Sequence, residues 1–311
     1  MPSNQHLVLR LAAPVLLAWG ALTVGCGPVE EPLESTPLEQ NAQELTGANG
    51  LSANGLSANG LSANGLSANG LSANGLSSEG FRTWFQSNRP LTESVMRYLV
   101  LCAVPAGQSR TFTDSVTGES FTWSGGLGVA PDWASGRPAT VAEQQLISAC
   151  LAAHVNKYGM SIPLSVLGRT ARGQVIPYTS SELSTYSHRE ACFFGNLFAG
   201  EGLYLGNDRG NLSARESSAR ACSISSNAGD TRTTDCPPLN YVGSCTSFCT
   251  LDSTKTHYTS CVYNGVTYKP ITTRLRQSDV YTCGDGVCQI SEKCGTSYQY
   301  YNCGLDCGAC Q

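Results

Sequence analysis

Fifteen cysteines in 311 residues constrain this chain more than any other feature. Fourteen of them lie from Cys102 onwards, and six (Cys283, Cys288, Cys294, Cys303, Cys307 and Cys310) fall in the last 29 residues. A segment that short has almost no hydrophobic core, so cross-links have to hold it. Cysteine used at this density belongs to an oxidising compartment, where disulfides form and each contributes roughly 2–5 kcal/mol. The disulfide set is read as Cys102, Cys150, Cys192, Cys222, Cys236, Cys245, Cys249 and Cys261 together with the six of the tail. Connectivity does not follow from sequence. Proximity suggests Cys102 with Cys150 and Cys192 with Cys222. Cys245-Thr-Ser-Phe-Cys249 and the Cys303 to Cys310 group also have spacings open to zinc, but export favours oxidised sulfur over free thiolate.

The fifteenth cysteine, Cys26, stands apart. Met1 to Arg10 carries one Arg and no acid, and Leu11 to Val24 is an apolar run of signal-peptide length, too short to span a membrane. Leu22-Thr23-Val24-Gly25-Cys26 resembles the lipobox of bacterial lipoprotein precursors, in which the cysteine is acylated and becomes the new first residue. The resemblance implies a membrane partner, reached through lipid on Cys26, and Gly27 in the following position implies sorting to the outer membrane. More than one acyl chain would give stable anchoring, which a single chain does not. Removing Cys26 leaves an even number of cysteines for pairing.

From Gly27 to Ser77 there is no Lys or Arg, there are five Glu, and six copies of Ala-Asn-Gly-Leu-Ser run from Ala48 to Ser77. Such a composition cannot bury a core by itself. As a flexible tether it would span about 40 Å end to end. The five-residue period with one Leu also resembles pentapeptide-repeat β-helices, so a short β-helix is the alternative. The globular remainder, residues 78 to 311, carries 18 basic and 18 acidic side chains. That balance, with a sequence pI near 5.6, speaks against a nucleic-acid partner and against bulk electrostatic steering.

The expected organisation is a signal peptide (1–25), a tether (26–77), an α+β domain (78–235), a disulfide-rich β region (236–282) and a six-cysteine module (283–311). Thr92 is expected to cap a helix to about Cys102. Thr140-Val-Ala-Glu143 is a capping box opening a helix that Gly159 would stop, with Cys150 and His154 on its apolar face. Thr111 to Asp114 and Ser120 to Trp123 flank a turn and read as a β-hairpin; Gln174 to Ile176 would add an edge strand. A third helix is expected over Ser181 to Phe198 and a short one over Ser213 to Ala221. Asn264-Gly265 between β-formers signals a second hairpin.

The tail sequence Cys-Gly-Asp-Gly-Val-Cys288 followed by Glu292 and Cys303-Gly-Leu-Asp-Cys307-Gly-Ala-Cys310 resembles small Cys-Gly-Asp-Gly-x-Cys modules of exported bacterial proteins. Taken with the lipobox and the Asn-Gly-Leu-Ser array, the chain resembles Cys-rich lipoproteins of myxobacteria. That resemblance implies fold and location, and brings no activity with it.

Chemistry has few carriers. There is no His-Glu-x-x-His, no Gly-x-Ser-x-Gly and no phosphate loop. Of the histidines after the signal, His154 reads as a core residue, His257 carries no motif, and His188 with Glu190 on the third helix is the most site-like pair. Glu190, Glu201, Asp208 and Glu216 are close enough in sequence to supply a glycosidase carboxylate pair. Asp285, Glu292 and Asp306 are hard oxygen ligands on a small stapled module and are the candidates for calcium, the one cofactor the sequence suggests. Tyr298-Gln-Tyr-Tyr301 is an aromatic run suited to adhesion. The leading expectation is an anchored protein that binds a protein or glycan ligand; the alternative is a secreted hydrolase of envelope or extracellular polymers.

Overall fold

The computed structural model describes residues 71–156, 162–221, 239–295 and 302–310. The signal segment, Cys26, most of the repeat array, Gly159, Cys222, Cys236 and the Tyr298–Tyr301 run lie outside the described residues. The described chain is an α+β structure with helices, several sheets and six disulfides. No helix among the described residues is long and apolar enough to cross a membrane.

The helices come first. After one turn of helix, α1 (Ala73–Leu76), Ser78 caps α2 (Glu79–Ser87) by accepting from the Phe81 N–H, and the chain turns at once into α3 (Arg89–Ala103). Pro90 opens α3, where a missing N–H costs nothing. Thr92 is therefore not the cap but an interior residue, its hydroxyl bonded to the Phe85 carbonyl at 2.6 Å, which ties the two helices together. The expected hairpin forms between β1 (Ser109–Thr113) and β2 (Ser120–Ser124). One of its faces packs Phe112, Phe121 and Trp123 edge-on against Phe81 and Phe85 of α2.

A short helix, α4 (Pro131–Ala134), precedes α5 (Val141–Ala153), which starts at the expected capping box. Thr140 Oγ1 accepts from the Glu143 N–H, and Glu143 Oε2 accepts from the Thr140 N–H at 2.9 Å. The same carboxylate reaches further, since Oε1 accepts from the Asp132 N–H at 2.7 Å and so secures α4. From Gln145 onward helix α5 is buried all round, because α3 covers one side and the sheet the other. Each of its enclosed Leu and Ile side chains contributes about 1.5–3 kcal/mol. The expected Cys102–Cys150 bridge joins α3 to α5.

The sheet has five strands in the order β3 (Ser165–Gly168), β11 (Ile271–Leu275), β4 (His188–Gly195), β5 (Leu203–Asn207) and β7 (Leu239–Ser244). All neighbours are antiparallel except β5 and β7. Strand β4 replaces most of the expected third helix, of which only α6 (Ser180–Thr185), capped by Thr179, is helical. Its residues alternate between two cores. Ala191 and Phe193 join the large cluster with α3 and α5, whereas Cys192 and Phe194 join a second cluster of Cys245, Tyr258, Cys261 and Tyr268. The second cluster draws on a three-stranded sheet of β8 (Cys249–Leu251), β9 (Tyr258–Tyr263) and β10 (Val266–Tyr268). Asn264 and Gly265, both at positive φ, make the tight turn between β9 and β10.

From beyond residue 235, β7 and β11 complete the sheet that β3, β4 and β5 begin. Three further expectations are corrected. Cys192 pairs with Cys245 rather than Cys222: strand geometry points Cys192 to the second cluster, where Cys245 follows β7. The expected helix over 213–221 is a two-residue strand, β6 (Glu216–Ser217), plus one 3₁₀ turn at Ala219–Ala221, and 174–176 makes a single bridge to Arg169. Strand β6 pairs with β12 (Tyr281–Thr282), which leads into the tail and its one helical turn, α7 (Gly304–Cys307).

Candidate functional site

The polar residues singled out in the sequence meet at the first half of β4, where the strand is irregular. Thr273 of β11 pairs with Ala191 but Arg274 pairs with Arg189, so Glu190 is an extra residue, a β-bulge. Its carboxylate is fully enclosed. Oε1 accepts from Ser218 Oγ at 2.6 Å; Oε2 accepts from Arg220 Nη2 at 2.6 Å and from Thr273 Oγ1 at 2.8 Å. Arg220 also donates to the carbonyls of Ala153 and Val155, at 2.9 and 3.2 Å, and so closes the end of α5. A carboxylate with every partner internal is a structural anchor.

His188 and Glu190 are therefore not a working pair. The ring of His188, half-buried, has Nδ1 3.0 Å from Ser187 Oγ and Nε2 4.0 Å from Glu216 Oε1. Glu216 is held in turn by the Ser213 N–H at 2.7 Å on its other oxygen. Arg274 fixes the backbone beneath, donating to the carbonyls of Tyr186 and Ser187 at 2.7 and 2.8 Å. Next along the strand, Arg189 lies against buried Asp208, Nε to Oδ2 2.6 Å, and also donates to the Lys255 carbonyl. Burial works to lower the Arg189 pKa, but Asp208, with Tyr258 and Asp252 behind it, leaves the value raised.

Each of the four carboxylates weighed for glycoside hydrolysis is engaged by a different neighbour. Glu190 is bound to Arg220, Asp208 to Arg189 and Glu216 faces His188, while Glu201 is placed against the Tyr268 hydroxyl. The other two histidines are enclosed. His154 Nδ1 lies 2.8 Å from the Cys150 carbonyl and therefore carries the hydrogen; burial pushes its pKa down from 6.5 to about 4. His257 Nδ1 lies 3.0 Å from Thr256 Oγ1, and burial lowers its pKa against the opposing pull of Asp252.

In the tail, Cys283–Cys303, Cys288–Cys307 and Cys294–Cys310 pair first with fourth, second with fifth and third with sixth. Cys245 and Cys249 are likewise bonded to Cys192 and Cys261, so both spacings open to zinc are spent as disulfides. Asp306 receives the N–H groups of Gly284 at 2.5 Å, Asp285 at 3.2 Å and Gly286 at 3.0 Å. Oxygens ringed by amide hydrogens are poorly placed to ligate a cation. Asp285 accepts from the Val287 N–H at 2.9 Å and from Gln289 Nε2 at 2.7 Å. Glu292 is buried, and desolvation first, then Asp306 and Asp285, raise its pKa to about 7. Arg220, Ser218, Thr273 and Gln289 carried no signal in the sequence, because their partners are distant or belong to no known motif.

Residues 48–81 match the model of the GLTT repeat family, in six copies, in agreement with the repeat count read from the sequence. No curated protein and no solved structure matches the chain. The repeat array and the six disulfides fit an exported, disulfide-rich protein, and those disulfides point to an extracellular or periplasmic location.

Proposed function

We propose that this is an exported lipoprotein of the cell envelope, acylated on Cys26 and sorted to the outer membrane, in which the repeat segment presents the disulfide-rich domain for binding a protein or glycan. One observation carries the reading: the twelve described cysteines are all bonded to one another. None of them is a partner for Cys26; of the three cysteines that remain, Cys26, Cys222 and Cys236, parity leaves one over, and the lipobox-like sequence before Cys26 assigns the lipid to it. The test is detergent-phase partitioning of the full chain. Wild type is expected in the detergent phase and Cys26→Ser in the aqueous phase; a Cys26→Ser protein that stays in detergent removes the anchor.

A second reading, a hydrolase of envelope or extracellular polymers, is favoured by one local arrangement, the line Ser187–His188–Glu216. A serine and a carboxylate on opposite nitrogens of one imidazole are the groups needed to activate a nucleophile. Turnover of a peptidoglycan or glycan substrate lost together in Ser187→Ala and His188→Ala would install this reading. Turnover that survives both substitutions would dismiss it.

A further inference from the structure

Three of the buried polar atoms without a partner belong to one turn of the tail. Gln289 Oε1, Ser291 Oγ and Glu292 Oε1 are all closed to solvent and have no hydrogen-bond partner among the described residues. Their residues are 6%, 1% and 7% exposed. All three atoms are oxygens and they fall within four consecutive residues of one turn. That turn is closed by the Glu292 N–H on the Gln289 carbonyl at 2.9 Å, and the Glu292 carboxylate folds back so that Oε2 accepts from the Gln289 N–H at 3.2 Å. Gln289 Nε2 donates to Asp285 Oδ2 at 2.7 Å, which fixes the amide and leaves its Oε1 as the open acceptor.

A buried acceptor without a donor costs about 1–3 kcal/mol, and a module this small has little burial with which to offset three of them. A hard cation satisfies carboxylate, amide and hydroxyl oxygens together. Zinc does not suit the place: the sulfurs beside Glu292, those of Cys288 and Cys307, are joined to each other and offer no thiolate. Asp306 has both oxygens taken by backbone N–H groups and supplies negative potential rather than a ligand.

We propose that the turn 289–292 binds a calcium ion through Gln289 Oε1, Ser291 Oγ and Glu292 Oε1, and that the ion is a structural part of the tail. Few protein ligands place the site among the weak extracellular ones, with a Kd on the order of 10⁻⁴–10⁻³ M.

The experiment is calorimetric titration of the chelator-treated full chain with calcium chloride alone, and in parallel with magnesium chloride. One calcium per chain is expected, with magnesium at least tenfold weaker, because magnesium gives up its own water reluctantly. Proteolysis within 283–311 is expected to slow on adding calcium. Glu292→Gln and Ser291→Ala, whose tails remain stapled by three disulfides, are each expected to weaken calcium binding tenfold or more, whereas Leu305→Ala, on the exposed surface, leaves it unchanged. Absence of a saturable calcium heat in the wild-type chain overturns the proposal, as does calcium affinity that Glu292→Gln and Ser291→Ala both leave intact.

Discussion

Glu190 and Arg220 meet in the interior with Oε2 and Nη2 2.6 Å apart and neither side chain exposed by more than 1%. A bulge residue of the central strand is thereby joined to the turn after β6 and, through Arg220, to the end of α5. Taking one member away leaves a buried charge unpaired, a change that costs about 3–5 kcal/mol. Arg220→Met is expected to lower the unfolding free energy measured in urea by that amount. The double substitution Glu190→Gln with Arg220→Met is expected to recover most of the loss, so a denaturation cycle over the four proteins checks the pair directly.

His154 makes the fold acid-sensitive. Its folded pKa lies below its unfolded value, so the unfolded chain takes up a proton first as pH falls. The stability it contributes is present above pH 6.5 and is lost as pH drops towards about 4. The displacement from 6.5 to about 4 corresponds to about 3 kcal/mol. His154→Asn, which keeps a donor for the Cys150 carbonyl, is expected to flatten the dependence over that window when unfolding midpoints are compared at neutral and acid pH. His257, also lowered by burial, works in the same direction and accounts for a residual slope.

Gly206 lets a disulfide cross the sheet. It pairs with Cys192 on β4, and a Cβ added there would stand 3.0 Å from the Cys245 nitrogen and 3.3 Å from Cys192 Sγ. Gly206→Ala is expected to cost about 1–3 kcal/mol by overpacking. It should also speed reduction of Cys192–Cys245 by mild thiol, read by mass spectrometry of alkylated peptides.

The tail depends on its bridges in a way the sheet does not. Replacing Cys294 and Cys310 together by Ser removes a link across 16 residues and is expected to cost the module about 2–5 kcal/mol. Cleavage by trypsin within 283–311 should accelerate, while the thermal transition of the five-stranded sheet followed by circular dichroism stays in place.

Features written into short stretches were legible in the sequence. The Thr140–Glu143 capping box, the Asn264-Gly265 turn, the β1–β2 hairpin and the burial of His154 each depend on neighbours a few residues away, so pattern alone finds them. Residues 186 to 198 were misread for a physical reason. A strand covered on both faces has no polar alternation, and Ala191-Cys-Phe-Phe194 is as apolar as a buried helix until the two separate clusters it serves are known. The site behaved likewise. His188 was visible as a titratable residue, but its neighbour Glu216 lies 28 positions on and comes close only through the folding of the sheet. Glu190, close in sequence, was diverted inward by a bulge that no local pattern announces.

Strand β11 sits between β3 and β4, yet it is the last of the five to be made. Until residue 275 is free to enter, β3 has no partner in the sheet and β4 lacks one of its two. The sheet therefore closes late, by long-range contacts that fold slowly. For a chain that has to be exported, the order of synthesis acts as a delay: nearly the whole polypeptide passes before β11 can lock between its neighbours, and the unpaired edges waiting for it are where misassembly would begin.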